Sequence, residues 1–161
     1  MLEQAALTIA FWLHMAATIV WIGGLFYMAV IVNPALERLP EQRGRLAEDM
    51  RRRFQPLAWL SLFVLIGTGL LQMSGNPNYD GLFAFSNPWS RSILAKHIAI
   101  GVMVLVAAYQ TWVLNPRLSR LALKQEVGAS DQVANELSRL NRVSLAFGIL
   151  VLGLTALART A

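Results

Sequence analysis

Residues 5–32, AALTIAFWLHMAATIVWIGGLFYMAVIV, decide the fold. No charged side chain lies between Glu3 and Glu37. A membrane-spanning helix needs about 20 mostly apolar residues, and this run supplies them. Three more segments repeat the pattern, at residues 56–74, 92–114 and 141–158. The last is short and lies between Arg142 and Arg159, whose methylene stems can stay in lipid while their charged heads reach water. The expectation is a single membrane domain over residues 1–161, an all-α, integral membrane four-helix bundle. The first span lacks a basic leader and is longer than a signal-peptide core, so it is expected to be retained.

Composition agrees. The 161 residues are 56% hydrophobic and only 14% charged, against about 25% charged in an ordinary soluble domain. There is no cysteine, which excludes a disulfide scaffold, a thiolate nucleophile, iron–sulfur ligation and a zinc ribbon. The net charge is +5, but the basic residues sit beside Glu37, Glu41, Glu48 and Asp49 and next to spans. Topology and anionic membrane lipid explain them better than nucleic acid, which is rejected as a partner.

Loop charge sets the expected orientation. Arg38, Arg43, Arg45, Arg51, Arg52 and Arg53 follow span one. Arg117, Arg120, Lys124, Arg139 and Arg142 lie between spans three and four. Only Arg91 lies between spans two and three, a contrast of eleven against one. The two basic loops are expected in the cytoplasm, with both termini and the middle loop outside. Residues 34–55 read as helical. Ser130 reads as the cap of an amphipathic helix through Val133, Leu137 and Leu140, lying on the membrane surface. The middle loop carries Tyr79, Phe83, Phe85 and Trp89, an aromatic belt with turns. No internal repeat stands out.

Two histidines, His14 and His97, are the only ones in the chain, and both fall inside spans. Ionisable groups there are costly and read as functional. Spans one and three run in the same direction, so the two imidazoles lie at similar depth, within about 6 Å along the axis by helical rise. Such a pair can ligate one metal from opposite sides. Trp21 shares the face of His14. Gly101, one turn after His97, leaves room for a flat macrocycle. Arg91 and Lys96 stand at the entry to span three and can pair with propionates. Met73 lies near the histidine level and adds a soft ligand suited to copper. Gly23-Gly24 and Gly67-Thr68-Gly69 permit close helix approach. No paired intramembrane carboxylate is present, which disfavours a proton-driven transporter of that type. No phosphate-binding glycine loop or hydrolytic constellation is present, so an enzyme is disfavoured and no catalytic residue is assigned.

These residues carry a resemblance. His14-x6-Trp21-Ile22-Gly23-Gly24-Leu25-Phe26, Asn33-Pro34-Ala35-Leu36, Arg52-Arg53-Phe54, Gly67-Thr68-Gly69-Leu70 and Trp89-Ser90-Arg91-x-Ile93-Leu94-x-Lys96 resemble the copper-resistance D (CopD) family, with serine where that family has glycine before the arginine. The resemblance implies copper handling at the bacterial inner membrane. The first run also resembles HemJ, a four-span haem protein linked to protoporphyrinogen oxidation, but Met28-Ala29-Val30 replaces the segment that leads to its arginine. A HemJ-like protoporphyrinogen oxidase is therefore the minor alternative. The expectation is one centre held by His14 and His97. Haem b serving electron transfer in a respiratory or copper-handling membrane complex is favoured. Copper held by both histidines and Met73 is one alternative, and a cofactor-free structural subunit is another.

Overall fold

The computed structural model describes residues 2–38, 43–75, 88–124 and 126–160. The aromatic middle loop falls mostly outside the described residues. Nearly all of the described chain is helical, with no strand among the described residues. Helix α1 (Leu2–Phe26) continues through a π-helical turn (Tyr27–Val32) into α2 (Asn33–Glu37). Helix α3 spans Arg43–Ser74. Helix α4 (Pro88–Tyr109) continues through a second π-helical turn (Gln110–Leu114) into α5 (Asn115–Leu123), and α6 spans Val127–Thr160. Four stretches are long and apolar enough to cross a membrane: Gln4–Glu37, Leu46–Ser74, Ser90–Leu121 and Gly128–Ala158. They extend beyond the apolar runs because the helices continue into the basic segments rather than stopping at the first arginine.

Helices are the expected solution because lipid offers no hydrogen bonds to a backbone, so each segment must satisfy its own. The outward side chains confirm which solvent they face. Trp12, Ile19, Phe63, Leu105 and Trp112 are all more than two-thirds exposed, an apolar surface untenable in water. The first helix packs mainly on the second span and the third span mainly on the fourth. Trp21, Leu25, Leu62, Ala99, Met103 and Val151 form the shared core. Of the small residues singled out in the sequence, Gly24 receives the Phe54 ring, which a Cβ there would overlap, and Gly69 faces His14. Gly23 and Gly67 have open space where a Cβ would be.

Two readings of the basic segments are corrected. Helix α6 begins at Val127, and Ser130 lies inside it with its N–H donating to the Glu126 carbonyl at 3.0 Å. The face of Val133, Leu137 and Leu140 does not lie on a membrane surface. It packs against Leu114, Leu118 and Leu121, because α5 folds back beside the start of α6.

A repeat also emerges, although none stands out in the sequence. Residues 27–36 (YMAVIVNPAL) and 109–118 (YQTWVLNPRL) share Tyr, Asn, Pro and Leu at matched positions. Each contains a π-helical turn, and in each the asparagine N–H donates five residues back, from Asn33 to the Met28 carbonyl and from Asn115 to the Gln110 carbonyl. The cause is the following proline. Pro34 and Pro116 lack an N–H, and their rings would clash with the carbonyl four residues earlier. Widening the turn removes the clash. Burial repeats too: Val32 and Leu114 are buried, as are Leu36 and Leu118, while Tyr27 and Tyr109 are exposed. His14 and His97 differ by one residue in their distance from these Asn-Pro pairs. The two histidines therefore precede the two similar turns by nearly the same number of residues.

Candidate functional site

A cavity of about 700 Å³ lies among the four spans at the histidine end, within the ~300–1,000 Å³ typical of small-molecule sites. Its walls are mostly apolar, from residues such as Phe11, Ile22, Leu65 and Ile100, and both His14 and His97 line it. Thus the two imidazoles, 83 positions apart in the chain, reach one chamber from spans one and three.

The hydrogen bonds on the histidine rings define their chemistry. Thr68 Oγ1 lies 2.6 Å from the Val64 carbonyl. A carbonyl can only accept, so the single hydroxyl proton of Thr68 goes there. Thr68 Oγ1 must then accept from His14 Nδ1, 2.8 Å away. His97 Nδ1 lies 2.7 Å from the Ile93 carbonyl, and again only the ring can donate. Both neutral rings therefore carry their proton on Nδ1. The Nε2 lone pair of each is left available, with no hydrogen bond to it among the described residues. This is the arrangement metal-binding imidazoles use, with one nitrogen anchored to a fixed acceptor and the other free to ligate.

Other side chains complete the chamber. Met73 lines it and is buried. Met15 and Met103 also line it, so three thioethers share the chamber with two imidazoles. Met15 lies at the open side of the cavity, 64% exposed. Lys96 lines the chamber without an acidic partner among the described residues. Trp21 forms its inner wall. Arg91 and Gly101 do not line it. Arg91 is exposed, six residues before His97 and so about a third of a turn off its face. Gly101 is exposed, with open space where a Cβ would be. No group of three or more His, Cys, Asp or Glu residues gathers among the described residues, so the donors are the imidazoles and thioethers.

Three contributors escaped the sequence reading. Thr68 orients His14, Gln72 Nε2 donates to the Ala10 carbonyl at 3.4 Å, and Thr155 brings the fourth span to the cavity. A hydroxyl between two glycines was the only signal for Thr68. Trp21 and Leu62 line both this chamber and a second cavity of about 140 Å³ towards the Asn-Pro turns. Asn33, Asn115, Gln110, Asn141 and Arg51 line that second cavity. Above it, Trp59 stacks on Trp112 with ring centres 5.4 Å apart.

Comparison with known proteins agrees with the reading of the spans. The family profile described as CopD, Copper resistance protein D, matches residues 48–158. A protein of Aquifex aeolicus (strain VF5), described as an uncharacterized protein, is 33% identical over 60 residues. That match covers 37% of this chain and 42% of the relative, so the chain spans less than half of the relative's length. No solved structure matches.

Proposed function

This chain belongs to the copper resistance protein D family, and from that premise we propose that its histidine chamber holds one b-type haem, ligated by Nε2 of His14 and Nε2 of His97. The observation that carries the proposal is the shared tautomer: both rings are anchored through Nδ1, and both histidines line the same cavity. The fit has two further supports. The chamber is large and mostly apolar, as a flat macrocycle needs, whereas a bare ion needs only a compact cage. Lys96, with no acidic partner among the described residues, supplies an ammonium for a propionate.

The residues have separable tasks. Thr68 and the Ile93 carbonyl hold the ring protons and fix the imidazole planes. Trp21 and Leu62 close the inner wall, and the apolar lining excludes water. His14 and His97 would both hold the haem, and the one-electron chemistry it would supply there is electron transfer. Loop charge orients the molecule in a bacterial inner membrane with the histidine end outside and the arginine-rich segments in the cytoplasm. A respiratory or copper-handling complex is the corresponding partner.

A second reading has its own observation. Met15, Met73 and Met103 line the chamber with the two histidines, a soft donor set suited to Cu(I). Quantifying haem and copper in the purified chain separates the two. About one haem per chain supports the first reading. Stoichiometric copper without haem selects the second. Neither group in protein shown to retain its native ligands leaves a cofactor-free subunit of a membrane complex.

A further inference from the structure

The smaller cavity carries an inference of its own. It sits between the two Asn-Pro turns, and both repeat asparagines line it. Asn115 is only 5% exposed. Its Oδ1 is buried with no hydrogen-bond partner among the described residues, and the same holds for Asn33 Nδ2. One half of the repeat thus offers an unmet acceptor and the other an unmet donor. Leaving such an amide atom buried and unpaired is costly, because it has given up its bond to water and gained none.

The chemistry of the lining selects the occupant. A cation would meet the Asn33 amide hydrogens and few free oxygens, because Asn141 Oδ1 already accepts from Gln110 Nε2 at 3.0 Å. An anion would find Arg51 already committed to Glu48 and Gln55. A small neutral molecule that both donates and accepts satisfies the two open atoms. The cavity, about 140 Å³, has room for several water molecules at about 10–15 Å³ each.

We propose that the Asn-Pro end of the bundle is a binding site for ordered water, which bridges Asn33 Nδ2 to Asn115 Oδ1 across the two halves of the repeat. Its inner limit is the pair Trp21 and Leu62, which also wall the histidine chamber. Internal water therefore stands one layer of side chains from that chamber. The proposal does not depend on which group the histidines hold.

Radiolytic hydroxyl labelling of the purified full-length chain, read by mass spectrometry, tests it, because radicals formed from ordered water oxidise the side chains beside them. Met28 lines the cavity and is the reporter. The expected result is rapid Met28 oxidation in the native chain and a fall of about tenfold in the double variant Asn33→Leu/Asn115→Leu. Ala58→Leu, which fills the same cavity from span two, should lower the rate similarly and serves where the double variant does not fold. A Met28 rate unchanged by filling the cavity would overturn the proposal.

Discussion

Each end of the bundle brings residues of spans one and three to a cavity, and the two ends use them differently. At the Asn-Pro end, Asn33 and Asn115 both line a small cavity, beside which Gln110 Nε2 donates to Asn141 Oδ1 at 3.0 Å. At the histidine end, His14 and His97 line a chamber about five times larger, and each keeps one nitrogen lone pair open. The difference teaches that the spans set position while local acceptors set chemistry. Thr68 does for His14 what the Ile93 carbonyl does for His97. One acceptor comes from a neighbouring helix and the other from the same helix, yet the outcome is the same tautomer.

The sharpest way to break this comparison is to remove either imidazole. On the proposed haem reading, His14→Ala and His97→Ala each abolish the reduced α-band absorbance. A band that survives one substitution would show that only the other histidine ligates. Next comes Thr68→Val, which keeps shape and removes the acceptor. Loss of such an orienting partner typically weakens a metal centre 10–100-fold, so cofactor affinity measured by titration should fall by about that range, and Thr68→Ser should restore it. Equal affinity in the valine variant would mean that Thr68 does not set the ring.

Packing gives a smaller effect. Gly24→Leu must displace the Phe54 ring, and overpacking of this kind costs about 1–3 kcal/mol. The unfolding midpoint in detergent should drop, and Phe54→Ala in the same chain should recover part of the loss. The smallest effect is expected at the other end, from Tyr109→Phe. The Tyr109 hydroxyl donates to Glu136 at 3.2 Å on an exposed face, where water readily replaces a lost hydrogen bond. A midpoint shift as large as that of Gly24→Leu would mean the contact is buried in the native membrane.

Much of this was legible in the sequence. The charge-free run before Glu37 fixed the first span, and two lone histidines at matched depth pointed to a shared chamber. What was not legible depended on contacts between segments. Thr68 reads as a small residue until its neighbour across the helix interface is known. The repeat escaped because only four of ten residues match, and its signature is the widened turn that proline forces. The face of Val133, Leu137 and Leu140 has helical periodicity whether its partner is lipid or protein, so only the fold showed that α5 covers it. Arg91 was placed by nearness along the chain and Gly101 by one helical turn from His97, and neither residue lines the chamber.

Electron paramagnetic resonance of the oxidised, purified chain tests the central claim most directly. The account predicts a low-spin ferric signal from two axial imidazoles, lost or converted to high spin by either His14→Ala or His97→Ala. A high-spin signal in the native chain, or a cupric signal with no haem, would contradict it.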